Sequence, residues 1–537
     1  MKTGNFVNGK FVDSPNKIIS ISPSTEEPIS EVSVAEGNLI EEALEAAWKG
    51  RRKREPRSKF ERLREILSDR AEEIAKLIAI EQGKPVVEAL ATEIYPSLSA
   101  IDFLLDKGDS FLEPEEIVPH DPMFRGRNAY LVYQNLGIAM VISPWNYPFG
   151  IPFLDIIQLI YAGIPVVFRP STSTPLIGLA IGELFHDAGF SPCSLQVLII
   201  PHREAEQILR DRRISHVLFT GSVAVGRKIG QIAGEGLKKA VLELGGKDTM
   251  IVLEDADIER AAAGVAWAGF MNAGQTCASV ERVLVHKKIG EKFLNLLKEK
   301  VEKIVIGDPL NPETEMGPLI SEAQRVNIME QLKEAEKMGA EKILGDGIPF
   351  PKGFYLSPHI YRNVPENTKL WREETFGPVV VIREFENEEE AISIANDTNY
   401  GLTASVWTRN RKRARKIAEA LEAGVVSIND HETAFAEPSA PWGGVKWSGI
   451  GRTHGEIGFK EALQPKYIME DYSRRKKLLW WFKYSSDSFE LMLIASRFLY
   501  GRKKLKNMWK LIPYLPRLIR EIGISGIIAS FEKFLGI

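Results

Sequence analysis

Cysteine is almost missing from this chain. Its 537 residues include two, Cys193 and Cys277, which excludes a disulfide framework and a cysteine-rich metal site. Lone thiols suit a reducing compartment, and a cytoplasmic protein is expected. Histidine is scarce too, with eight residues and no H-E-x-x-H or similar spacing. No metal is expected. The first residues, Met1 to Ser14, lack the apolar run of a secretion signal. In residues 471–537, no uncharged apolar run reaches the ~18 residues of a membrane-spanning helix. The longest candidate there, Ile522 to Phe531, falls short. Net charge is small as well, at −3, which argues against a general nucleic-acid binder.

What is present is ordinary in bulk and uneven in detail. Hydrophobic content of 44% and charged content of 26% fit a globular protein. The length corresponds to three or four domain-sized units. Residues 471–537 carry 14 Lys/Arg and 5 Asp/Glu, a balance of +9, which leaves −12 on residues 1–470. The body is acidic and the tail basic.

Residues 1–36 read as strands and turns, with a hairpin signal at Asn8-Gly9. Asn38 with Glu41 resembles a capping box opening a helix to about Arg51. Pro56 suits a first helical position. Apolar residues then keep the helical period to about Gly83. Another helix is expected from about Val87 to Leu105. Tyr130-Leu131-Val132-Tyr133 reads as a strand of a projecting hairpin. From Gly137 the pattern changes. Short apolar runs at 138–142, 166–168, 195–200, 216–219 and 240–244 alternate with helical stretches at 176–188, 203–212 and 223–234. This is the mark of βαβ units and a parallel sheet buried on both faces. A second alternating block begins near Thr249. It has helices at 258–272, 291–304, 321–338, 387–396 and 411–423, and strands at 250–253, 282–286, 378–384, 403–408 and 425–429.

Four short stretches carry candidate chemistry. Cys277 ends Gly274-Gln275-Thr276-Cys277, a small-residue loop after a helix. That setting gives a thiol access, as a nucleophile needs; a buried inert cysteine is the other reading. Glu243 closes an apolar strand before Gly245-Gly246. Burial there raises a carboxyl toward the range of a general base; a solvent-facing strand end is the alternative. Pro144-Trp145-Asn146-Tyr147-Pro148 fixes one amide at a sheet edge, where Asn146 could donate to an oxyanion. It also reads as a proline turn with aromatic packing. Phe219-Thr220-Gly221-Ser222 leads into a helix whose N-terminus suits a pyrophosphate. It is neither G-x-G-x-x-G nor a P-loop, since Arg227-Lys228 replaces Lys-Ser/Thr. An ordinary βα turn would look the same.

Taken together, these stretches resemble the NAD(P)-dependent aldehyde dehydrogenase superfamily over roughly residues 1–470. The shared motifs are P-W-N-Y-P (144–148), F-T-G-S (219–222), E-L-G-G-K (243–247), G-Q-T-C (274–277), E-E-T-F-G-P-V (373–379), N-Y-G-L-T-A (399–404) and P-W-G-G-V-K-W-S-G-I-G-R (441–452). The resemblance implies Cys277 as nucleophile, Glu243 as base, and Asn146 with the Cys277 N–H as oxyanion hole. It implies NAD or NADP held by Trp145, Arg169, Ser171, Thr172, Gly221, Ser222, Leu244, Glu374 and Phe376. Hydrolysis of a cysteine thioester to the acid is implied by Glu243, which relatives that pass the acyl group to coenzyme A or phosphate lack.

The implied fold class is α/β: a doubly wound dinucleotide-binding domain (1–118 and 137–246), an α/β catalytic domain (247–452) and a small β oligomerisation element (119–136 and 453–470). A homodimer or homotetramer is implied.

One stretch departs from the family. Its usual K-P-S-E reads Arg169-Pro170-Ser171-Thr172 here. Without the acid, repulsion of a 2′-phosphate is gone, so NADP acceptance is expected. The tail, 471–537, interleaves aromatics with basic residues and suits amphipathic helices on an anionic membrane surface at the cytoplasmic face. Packing on the enzyme body or on a partner is the alternative. The motif wording resembles the subgroup acting on apolar, long-chain or carotenoid-type aldehydes. A small charged semialdehyde such as succinate semialdehyde, and a non-catalytic membrane-associated binding protein on this fold, stay open.

Overall fold

The computed structural model describes residues 2–51, 53–472, 476, 478–502 and 504–535, without the side chains of 534 and 535. Arg474, Arg475, Lys477 and Lys503, part of the tail's basic signal, lie outside the described residues. The chain divides into two compact units: 1–111 with 135–463, and 112–134 with 464–537.

The first unit holds two large sheets. One has the order Gly449–Ile450, Lys239–Glu243, Ile214–Thr220, Ile138–Ile142, Val166–Arg169, Leu195–Val197, Asn5–Val7, Lys10–Val12. Its five middle strands are parallel, and each edge is antiparallel. The parallel strands are almost wholly apolar because helices cover both faces; every residue of Ile138–Ile142 is buried. Strand order reverses between Ile138–Ile142 and Ile214–Thr220. The loops after these two strands therefore open a crevice at the sheet's carboxyl edge. The second sheet runs Glu341–Leu344, His359–Arg362, Val379–Phe385, Val280–His286, Asp248–Val252, Thr403–Trp407, Val425–Ile428, parallel except for its first strand. Each sheet has its own apolar core.

Several sequence expectations need correcting. The helix Asn38–Gly50 is capped by Gly37, with no side-chain cap, so Asn38-Glu41 forms no capping box. The periodic run after Pro56 is two helices, Arg57–Asp69 and Ala71–Glu81. They break at Arg70, whose guanidinium pairs with Glu73, Glu183 and Asp187. The apolar run 195–200 stops being a strand at Val197, because Ile199 N–H donates to the Asn5 side chain. Helix Gly150–Tyr161 and strands Glu341–Leu344 and His359–Arg362 were not anticipated.

In the second unit, Asn128–Gln134 pairs with Gln464–Glu470 and with Glu115–Glu116. Its main partner is thus remote in sequence, not the other arm of a local hairpin. The tail folds as helices Ser486–Tyr500, Lys504–Leu511 and Leu515–Leu535, the last kinked at Gly523. Among the described residues, no helix is long and apolar enough to cross a membrane.

Candidate active site

Cys277 follows helix Ile258–Phe270 through three consecutive left-handed residues: Asn272 (φ 52°), Ala273 (φ 54°) and Gly274 (φ 70°). Gly274 is required, since a Cβ there would fall 2.0 Å from the Gly377 carbonyl oxygen. Side chains hold the strained turn. Asn272 Nδ2 donates to the Asn146 carbonyl (2.9 Å), and Gln82 Nε2 donates to Asn272 Oδ1 (3.0 Å). Gln275 Oε1 accepts from Ile320 N–H at 2.9 Å. Asn146, buried, donates its own amide to the Gln275 carbonyl at 2.9 Å. This couples the loop after Ile138–Ile142 to the turn that carries Cys277.

Glu243 ends its strand opposite Thr220, and its carbonyl accepts from Gly221 N–H (3.0 Å). Its side chain is buried, and neither carboxylate oxygen has a hydrogen-bond partner. Burial pushes this carboxyl well up; nearby Asp155 adds to the rise and Arg452 opposes it. Gly443 leaves the room: a Cβ there would lie 2.8 Å from Glu243 Oε1. Cys277, Glu243 and Leu244 wall one cavity with Asp155 and His454. The Cys277 thiol is also pushed well up, by burial first and then by Glu374, Asp248, Glu243 and Glu432. It rests as a thiol and needs a proton acceptor to react.

The cofactor candidates fall into two groups. Glu374 Oε1 accepts from Gly246 N–H at 3.1 Å, and its carboxylate lies against the bare face of Gly245. Burial, with Glu281 next, raises its pKa to about 8. Phe376 (φ 53°) meets Trp145 edge to face at 5.4 Å. The Glu373–Phe376 turn is fixed by Glu281, which accepts from Thr375 and Phe376 N–H and pairs with buried Lys247. Ser222 caps helix Val223–Glu235, and Gly226 lets that helix press on Leu244. Arg169, Ser171 and Thr172 sit apart, at the end of Val166–Arg169. Arg169 is buried and donates to the Ile200 carbonyl at 3.3 Å; Thr172 is exposed.

A second, apolar cavity of about 210 Å³ adjoins Cys277, with Tyr147, Trp267, Phe435 and Trp442 in its wall. Two acids in these cavities escaped the sequence reading. Asp155 is the one charged residue in the apolar helix Gly150–Tyr161, and that isolation was the available signal. Burial raises its pKa to about 8. Glu432 lies in a polar loop that looks solvent-facing in sequence, and nothing there marks it. No group of His, Cys, Asp and Glu able to hold a metal occurs among the described residues.

The profile of the aldehyde dehydrogenase family matches residues 11–468. Betaine aldehyde dehydrogenase of Cereibacter sphaeroides is 34% identical over 471 residues, covering 86% of this chain and 96% of that protein. The fold matches the NAD+ complex of aldehyde dehydrogenase from Bacillus cereus with a TM-score of 0.83 and 31% identity, covering 88% of this chain and 97% of that one. An NADP-dependent enzyme of E. coli matches with a TM-score of 0.84 and 29% identity, covering 87% and 98%. The chain belongs to the aldehyde dehydrogenase family and is an enzyme of that family.

Proposed function

We propose that this enzyme oxidises an aldehyde with an apolar, medium or long chain to its carboxylic acid, using NAD or NADP. The observation that carries the reading is the pair Cys277 and Glu243 on one cavity, with both Glu243 oxygens free of partners. Cys277 gives up its proton to solvent, and its sulfur bonds to the aldehyde carbon. Asn146 and the Cys277 N–H stabilise the resulting oxyanion. Bound nicotinamide supplies the hydride acceptor. Glu243 then takes a proton from water as that water attacks the thioester, releasing the acid and restoring the thiol.

The residues present fit a dinucleotide. Ser222 and the helix N-terminus it caps suit the pyrophosphate, with Gly221 and Leu244 shaping that edge. Glu374 suits the hydroxyls of a ribose, and Trp145 with Phe376 suits the flat nicotinamide. At the adenosine end, Arg169, Ser171 and Thr172 present no acid. The lowered pKa of His202, caused first by burial, also reflects the positive charges of Arg169 and Lys228 nearby. This setting supports acceptance of a 2′-phosphate.

Two further points belong to this reading. Acids dominate around Cys277, and neither cavity beside it has Lys or Arg among its described wall residues, which disfavours an anionic semialdehyde. The tail is proposed to contact a membrane surface, and the chain to act as a homodimer or homotetramer. The test of the activity is the absorbance of reduced nicotinamide on mixing the protein with decanal and hexanal, with NAD and NADP in parallel. Turnover is expected with both cofactors and none in Cys277→Ser. No turnover of any aldehyde overturns the reading. An NADP KM more than tenfold above that for NAD overturns the 2′-phosphate argument alone.

A further inference from the structure

The tail helices enclose a cavity of about 310 Å³ that lies wholly within the second unit. Leu491, Ala495 and Leu499 line it from helix Ser486–Tyr500, at the spacing of one helical face. Leu518 and Ile522 line it from the last helix, and Ile527 lines it from beyond the kink. Gly523 (φ 70°) permits the turn that brings both halves of that helix to one wall. Gly526 lets the second half close on the chain below it, since a Cβ there would fall 2.8 Å from the Pro122 carbonyl oxygen.

Native cores keep few voids larger than a water molecule, because the lining atoms lose their contacts. A cavity of this volume is the size of a ligand site. Its wall calls for hydrocarbon, and the few polar groups on it decide what the hydrocarbon ends in. Ser496 Oγ donates to the Met492 carbonyl (2.8 Å), Ser530 Oγ to the Gly526 carbonyl (2.7 Å) and the Tyr500 hydroxyl to Asp121 Oδ2 (2.8 Å). These groups are satisfied within the protein. Glu521 differs: its Oε2 is buried without a hydrogen-bond partner. A hydroxyl both donates and accepts, so it pairs with a carboxyl in either protonation state. An anionic headgroup does not suit the wall, which carries the carboxyls of Asp121 and Glu521 and has neither Lys nor Arg among its described residues. Lys533 Nζ already meets Tyr500, 3.3 Å from its hydroxyl and 4.5 Å from its ring centroid, and is not part of the wall.

We propose that the tail is a binding module for a long-chain primary alcohol. The alkyl chain fills the cavity, and the hydroxyl pairs with Glu521. This site does not depend on the reading of Cys277, and its test needs no turnover.

The test is equilibrium dialysis of the full-length enzyme against labelled 1-dodecanol, with dodecanoate and dodecylphosphocholine as competitors of the same chain length. One alcohol per chain is expected to bind in the tail, with both competitors weaker by about tenfold or more in Kd. Ala495→Trp fills the cavity and is expected to remove that alcohol without lowering the thermal midpoint or the rate with hexanal. Glu521→Leu is expected to weaken the alcohol by about tenfold, and Glu521→Gln, which still hydrogen-bonds, by no more than about twofold. If Ala495→Trp proves unstable, the contrast between the two Glu521 variants decides alone. Absence of binding, or binding that survives a folded Ala495→Trp, overturns the site. Competitors that bind as well as the alcohol, or equal losses in Glu521→Leu and Glu521→Gln, overturn the assignment of a hydroxyl to Glu521.

Discussion

Glu243 raises the cost of ionising Cys277, and the consequences are measurable. Replacing Glu243 with Gln removes the proposed base for thioester hydrolysis and leaves the thiol. Mixing Glu243→Gln with aldehyde and cofactor should give a burst of about one reduced nicotinamide per active site. Steady turnover should then be slower by roughly 10²–10⁴-fold, the usual worth of a general base. A uniform loss without a burst would remove Glu243 from the hydrolytic step. The second consequence concerns pH. The thiol is pushed up by burial and then by four acids, Glu374 first among them and Glu243 third. A raised thiol pKa means that thiolate, and with it reactivity, increases as pH rises. In the enzyme without cofactor, alkylation of Cys277 by iodoacetamide should accelerate with pH. Glu374→Gln and Glu243→Gln should each move that profile to lower pH, Glu374→Gln by more. Profiles that overlay would show that these carboxylates do not act on the sulfur. Both residues were legible in sequence because glycines flank them in motifs that few other contexts produce. Asp155 and Glu432 were not, because their burial is decided by helices and loops distant in sequence.

Elements were legible where periodicity was undisturbed. The five parallel strands from Ile138–Ile142 to Lys239–Glu243 stood out as apolar runs because both faces are covered. Helix Gly150–Tyr161 escaped for the same reason: with eleven of its twelve residues buried it shows no polar face to betray a period. The break at Arg70 escaped because ion pairs to Glu183 and Asp187 override a continuous apolar stripe. One strand carries a pH signature. His216 sits in Ile214–Thr220, buried, with neither ring nitrogen hydrogen-bonded. Burial first, then Lys239, lowers its pKa to about 3. Its pKa in the unfolded chain is about 6.5, so below that pH the unfolded state takes up a proton that the folded state refuses. Its contribution to stability is therefore intact above about pH 6.5 and falls as pH drops toward 3, reaching a loss of about 2 kcal/mol at pH 5. His216→Leu should shrink the fall in thermal midpoint between pH 7.5 and pH 5. His431 and His454, each lowered to about 4 chiefly by burial, keep some acid sensitivity in the variant. An unchanged fall would mean that His216 is charged in the folded protein.

At the scale of the whole molecule, the charge asymmetry between body and tail becomes an argument about place. In the second unit, helices Ser486–Tyr500 and Lys504–Leu511 leave Phe489 71% and Trp509 67% exposed. Leu505 and Ile524 are exposed as well. Large apolar side chains in water, interleaved with lysine and arginine, favour a surface that is apolar at one depth and anionic at another. No described helix is long and apolar enough to cross a membrane, and the contact proposed is a peripheral one. The full chain should sediment with vesicles containing about 30% anionic phosphatidylserine and stay in solution with neutral phosphatidylcholine vesicles or at high salt, since each nearby basic residue adds about 1 kcal/mol that salt screens. Removing 471–537 should abolish sedimentation. Phe489→Ser with Trp509→Ser should weaken it strongly while leaving the hexanal rate unchanged, which separates loss of contact from loss of fold. Vesicle binding that survives both changes would show that the tail's exposed aromatics face something other than lipid.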